Sequence, residues 1–298
     1  MDARTLASSP RWPRCVRLAS MLSLQRGWHP ETPMSMSLPC TQQVDSPFGQ
    51  RLRYWRRRSG LSQLHLAAEA GTTPRHLSFI ETGRSRPGRE LVLRLAAALD
   101  VPIRERNGML ASAGLTPAFA ERDLLHESMR PAQRVLDKVL TAHEPYPAWV
   151  VARGMRIIAS NRAAEALFPG MCSMQPEAIV DMWYGPGPFR DLVENWPDVV
   201  WAGVATLRRE ARRTADTELL ALVRRAEAHL DSVPQPEPDS EPELPFVCAR
   251  LKIGDQLVRT LSTVMRFDSA VEVTASELRV ELLFPADEAS DAFFQSLR

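Results

Sequence analysis

The stretch LSQLHLAAEAGTTPRHLSFIETG, residues 61–83, restricts the fold more than any other part of the chain. Ser62 is placed to cap one short helix and Gly71 to stop it. Thr73 caps the next, with Pro74 at its first position, where a missing N–H costs nothing. Gly83 closes that helix. The small Ala67 lets the two helices approach closely. Leu77 and Ile80, three apart, anchor one side of the second helix against the first. Arg75, His76, Ser78 and Phe79 are left on its outer side or at the edge of the buried stripe.

The flanking residues extend this pair into a module. Phe48, Leu52 and Trp55 repeat at helical spacing, and Gly60 ends that helix. Leu91, Leu95 and Leu99, with Val92 and Ala96, make a fourth amphipathic helix, and Pro102 opens a fifth. Residues 46–115 are therefore predicted to be an all-α, five-helix domain built on a helix-turn-helix. The second helix of the pair presents its N-terminal end, a shape that suits the major groove of duplex DNA. Arg75 can reach a guanine bidentately, with Thr73 and Pro74 at the helix start beside it. His76 and Ser78 can hydrogen-bond a base or a phosphate, and Phe79 can touch a thymine methyl. Gln63 and the free N–H groups at the start of the first helix can hold a phosphate. Arg84 and Arg86, just after the second helix, suit the sugar–phosphate backbone.

Charge supports a polyanionic partner for this part alone. Residues 48–113 hold twelve arginines against five acids, a balance of +7, whereas residues 114–298 hold twenty basic and twenty-eight acidic residues, a balance of −8. The overall +1 conceals this split. The four cysteines (Cys15, Cys40, Cys172, Cys248) are far apart, with no CxxC pair and no Cys–His cluster, so no metal site or disulfide framework is indicated. No apolar run approaches a membrane span. No nucleophile motif, Walker loop or dinucleotide fingerprint occurs, so the chain is not expected to be an enzyme and no cofactor is implied. The first 45 residues, rich in Ser, Pro and Arg, are read as a disordered extension without a signal-peptide core, which makes the protein cytoplasmic by default.

Residues 116–147 read as a helical linker whose Val135, Leu136, Val139 and Leu140 form an apolar stripe. From residue 148 the pattern is α+β. WVVARGMRIIASN (149–161) reads as strand, glycine turn, strand, with Asn161 capping a helix. Residues 171–188 read as a loop, 189–213 and 216–231 as two helices, and the proline-rich acidic segment 234–244 as a mobile loop. Three strands and a last helix follow. Trp149, Phe168, Trp183, Trp196 and Trp201 are candidate walls of an apolar pocket, with Asn161 as a polar contact or, alternatively, only a cap; core filling is the competing use of the aromatic residues.

Two resemblances sharpen these readings. GLSQ, Ala67, Gly71, FIETGRSRP and LRLAAALDVP resemble the helix-turn-helix domain of the Xre/Cro/C1 repressor family. That resemblance implies an ion pair between Arg56 and Glu81 that aims the arginine at a phosphate. The family's frequent glutamine at the start of the recognition helix is replaced here by Pro74 and Arg75. RERNGMLASAGLTPAF, followed by the strand–Asn–helix unit and VTASELRVELLFPAD, resembles the MmyB-like regulators, which implies a PAS-like domain and a small apolar ligand such as a fatty acid. The expectation is a sequence-specific regulator, a homodimer on a two-fold DNA operator, with a small-molecule effector. The alternative is that the second domain grips a protein partner or only dimerises.

Overall fold

The computed structural model describes residues 46–237 and 246–297. The expected disordered extension and most of the acidic loop lie outside the described residues. The chain divides into two units. One holds the described residues to Asp100 together with Met109–Thr116, and the other holds Val101–Gly108 and the described residues from Pro117 onward.

The first unit is helical: α1 (Pro47–Arg58), α2 (Gln63–Glu69), α3 (Pro74–Glu81), α4 (Arg89–Ala98) and the end of α5 (Ile103–Ser112). The expected caps form. The Ser62 hydroxyl accepts from His65 N at 3.1 Å, and the Thr73 hydroxyl accepts from His76 N at 3.1 Å. Gly71 takes φ 62°, the left-handed conformation that lets α2 turn sharply into α3. Leu52, Leu66, Ala67, Leu77, Ile80 and Leu95 are fully buried together, each large side chain contributing about 1.5–3 kcal/mol. One contact was invisible in the sequence: a Cβ on Gly49 would meet Glu81 O at 2.5 Å and Ile80 O at 2.9 Å. Only glycine lets α1 approach the end of α3 this closely.

The second unit is built on a five-stranded antiparallel sheet of order β2-β1-β5-β4-β3. In chain order it contains α6 (Arg130–Ala142), β1 (Ala148–Ala152), β2 (Arg156–Ser160), α7 (Arg162–Leu167), α8 (Pro176–Tyr184), α9 (Pro188–Leu192), α10 (Trp196–Thr214) and α11 (Thr217–Leu230). β3 (Ala249–Ile253), β4 (Gln256–Arg266), α12 (Val273–Glu277), β5 (Arg279–Pro285) and α13 (Glu288–Gln295) complete it. β1 is covered on both faces. Trp149 and Val151 point into a large core with helical residues such as Ile179, Val200 and Val223, while Ala148 and Val150 pack under Leu136 and Leu140 of α6.

Two sequence expectations fail here. Residues 171–188 are not a loop: Pro176 occupies the first turn of α8, whose Ile179 and Val180 are buried. The helix expected over 189–213 is broken, because the chain between α9 and α10 bonds to strand β3. Val193 bridges Leu251, and Glu194 N donates to Arg250 O at 2.8 Å. Asn195 completes the break, accepting from Arg250 N at 3.0 Å and donating to Cys248 O at 2.9 Å.

Candidate nucleic-acid interface

Burial of Leu77 and Ile80 leaves the N-terminal end of α3 on the surface, with Thr73, Pro74 and Arg75 exposed. The Arg75 guanidinium lies over the Phe79 ring, 5.4 Å from its centroid. A cation–π contact of this kind holds the arginine along the helix instead of letting it sweep through solvent. Phe79 is half-buried and serves as that platform, not as the free apolar contact expected for a thymine methyl. Ser78 is also half-buried, one helical step behind.

His76 departs from expectation. Its Nδ1 faces the Thr72 hydroxyl at 3.1 Å and its Nε2 faces the Ser85 hydroxyl at 3.4 Å. Both ring nitrogens are engaged, so His76 ties the turn before α3 to the loop after it and is not available to read a base. Arg84 and Arg86 are exposed on that loop, as a backbone-binding role requires.

Behind α3 the Arg56–Glu81 pair is present and part of a larger cluster. Arg56 donates from Nε to Glu81 Oε1 at 2.6 Å, from Nη2 to Oε2 at 3.0 Å, and from Nη1 to Leu61 O at 3.0 Å. Gln63 donates its amide to Glu81 Oε2 at 2.8 Å, which anchors a residue expected to be free for phosphate. Glu81 is buried at 2 % exposure, and its hydrogen bond raises the Arg56 pKa above its ordinary value. The carboxylate fixes the junction of α1, α2 and α3 and cannot itself reach a base.

In the second unit the structure brings Trp149, Phe168 and Trp183 together and adds Phe189, which sequence reading missed. Trp183 stacks on Phe189 at 5.3 Å and 14°, and Trp149 meets the edges of Phe168 and Trp183 at 6.2 Å. Trp196 adjoins them, its indole donating to Trp183 O at 3.0 Å. Trp149 donates to Glu281. The Trp183 Nε1 is buried with no hydrogen-bond partner among the described residues. Trp201 and Asn161 have their polar groups committed to backbone. Trp201 packs at the edge of the same core and donates its indole N–H to Pro234 O at 3.2 Å. Asn161 is saturated: its Oδ1 accepts from Ala148 N and Ala164 N, both at 3.0 Å, and its Nδ2 donates to Tyr146 O at 2.7 Å and Leu140 O at 3.3 Å. It is a structural cap with nothing left for a ligand.

These two units match known families in the same order. Residues 132–297 match the model of the MmyB-like transcription regulator ligand binding domain. The chain belongs to the MmyB-like transcription regulators. Residues 52–106, from within α1 to within α5, match a helix-turn-helix family model. The chain is also similar to an uncharacterized HTH-type transcriptional regulator, RghRB, of Bacillus subtilis, 37% identical over 98 residues, which covers 33% of this chain and 67% of that protein. An MmyB-like regulator with this architecture is a helix-turn-helix transcription regulator joined to a domain of a ligand-binding family. No helix among the described residues is long and apolar enough to cross a membrane.

Proposed function

We propose that this MmyB-like regulator acts in the cytoplasm as a homodimer, binds a two-fold operator sequence-specifically, and is modulated by a small apolar molecule such as a fatty acid. It has no catalytic role in this reading and needs no cofactor. The observation that carries the DNA-binding half is the exposed N-terminal end of α3, with Arg75 held over Phe79 and framed by Arg84 and Arg86. One short helix reads only a few base pairs, so a second copy on a half-site about one helical turn away supplies the remaining specificity.

Arg75→Ala is expected to relax base preference at one operator position by roughly 1–3 kcal/mol, whereas Arg86→Ala weakens all sequences alike and lowers the salt slope by about one. Affinity measured on a set of single-base operator variants at several salt concentrations separates the two. A uniform loss for Arg75→Ala would remove its reading role.

The ligand half rests on the buried indole N–H of Trp183, unpartnered among the described residues and set among the rings of Trp149, Phe168 and Phe189. A buried donor without an acceptor is costly, and a ligand carboxylate or carbonyl would satisfy it. Native mass spectrometry of the purified chain is expected to show added mass of a fatty acid, reduced in Trp183→Phe, which keeps the ring and removes the donor. Full retention of the adduct in Trp183→Phe would discard the hydrogen bond. Absence of any adduct, with no stabilisation by added fatty acids, would leave the second unit as a protein-binding or dimerisation module.

A further inference from the structure

The outer face of α1 carries a patch of positive charge that the recognition helix does not account for. Gln50, Arg53, Tyr54, Arg57 and Arg58 line an open cleft of about 520 Å³. α1 carries no acidic residue, in its first turn or after it. Among the described residues that line the cleft, none is acidic. Arg57 is exposed and its guanidinium has no carboxylate partner among the described residues. Arg58 bonds the neutral Tyr54 hydroxyl at 2.9 Å and lies 5.0 Å from the Trp55 ring centroid. Arg53 donates to the backbone oxygen of Glu81 at 2.8 Å, and its approach to the Glu81 carboxylate is only 3.9 Å. That carboxylate is already spent on Arg56 and Gln63.

Two of the three guanidinium groups are thus pre-ordered, Arg58 by ring contact and Arg53 by the end of α3. Ordering them in advance removes part of the entropy cost of binding. The mix of guanidinium, hydroxyl and amide donors is the mix that contacts phosphate oxygens. Arg53 also makes the cleft continuous with α3, because it bonds the residue at which α3 ends. In helix-turn-helix docking a helix adjoining the recognition helix crosses the sugar–phosphate backbone, the role that a basic face continuous with α3 would suit.

We propose that the α1 cleft is a second phosphate-binding site, which grips duplex DNA flanking the operator half-site through Arg57 and Arg58, with Arg53 at its inner edge. The inference rests on the DNA-binding reading above and adds a flank contact that no base preference would reveal. It makes affinity depend on duplex length as well as on operator sequence.

The test uses the full chain and compares a duplex trimmed to the operator with one extended on both sides. The measured quantity is the slope of log affinity against log salt. Replacing Arg57 and Arg58 together by glutamine is expected to reduce the slope on the extended duplex by about two, with no change on the trimmed duplex and none in base preference. Both side chains are exposed, so folding is expected to be unaffected, and the double lysine variant should restore the slope because it restores the charge. An unchanged slope on the extended duplex overturns the proposal. An equal fall on both duplexes also overturns it, since the contact would then lie inside the half-site. Loss of transcriptional control with DNA affinity intact would assign the cleft to an acidic protein partner instead. If the wild-type chain itself shows no salt-sensitive affinity for any duplex, the DNA-binding reading fails first, and the two failures remain distinct.

Discussion

Glu81→Ala is expected to lower the stability of the helix-turn-helix unit by about 3 kcal/mol, the scale found when one member of a buried ion pair is removed. The carboxylate accepts three hydrogen bonds, two from Arg56 and one from Gln63, in a site from which water is nearly excluded. Without it, the Arg56 guanidinium stays largely covered, at 13% exposure, with no opposite charge beside it. Hydrogen exchange of the α1 and α3 amides reads this unit separately from the other. Protection is expected to fall by roughly two orders of magnitude in the variant, the equivalent of that energy. DNA affinity should fall with it, while the ranking of operator variants measured on the remaining folded fraction stays the same. Unchanged protection would mean that the cluster is solvated and contributes little, as exposed ion pairs do.

The second large effect is expected in the other unit, from Asn161→Ala. This side chain satisfies two backbone N–H groups and two backbone carbonyls at once, joining the end of β2 to the start of β1, to α7 and to the end of α6. Alanine leaves three buried polar groups and one part-buried carbonyl, that of Tyr146, to find other partners. At about 1–3 kcal/mol for each group left unsatisfied, a loss of at least about 3 kcal/mol is expected. Thermal unfolding of this unit, followed by the near-ultraviolet signal of its packed tryptophans, should shift down by several degrees. Asn161→Asp, which keeps the acceptor for the two N–H groups and loses the donor, should fall between. If Asn161→Ala instead kept full stability and lost only a bound fatty acid, the assignment of Asn161 as a cap would be wrong.

These two residues show where sequence reading succeeds and where it stops. The cap role of Asn161 was legible because an asparagine before RAAEAL is a local signal. Its bonds to Ala148, Tyr146 and Leu140 were not, because they come from residues 13 to 21 positions away that only strand pairing and α6 packing bring close. The pairing of Arg56 with Glu81 came from a resemblance, whereas the addition of Gln63 to the pair needed the crossing of α2 over α3. His76 was assigned to DNA because its position on the helix wheel is outward. Ser85, nine residues later, turns back and holds it. Phe189 escaped notice because it stands in a short helix beside glycine and proline, where nothing local marks it as a partner of Trp183.

Sequence by itself determined the periodic and punctuated features: the caps at Ser62 and Thr73, the turn at Gly71, the buried Leu77 and Ile80, and the separation of a basic half from an acidic one. These follow from φ/ψ preference, helical spacing and composition, which act over a few residues. Tertiary structure alone decided which polar side chains remain free. A hydrogen-bond donor is spent or available according to what lies within about 3 Å of it, and that is set by chain crossings far apart in sequence. The same rule engaged both ring nitrogens of His76 and the whole amide of Asn161 and, among the described residues, left the Trp183 indole without an acceptor and Arg75, Arg57 and Arg58 without a carboxylate partner.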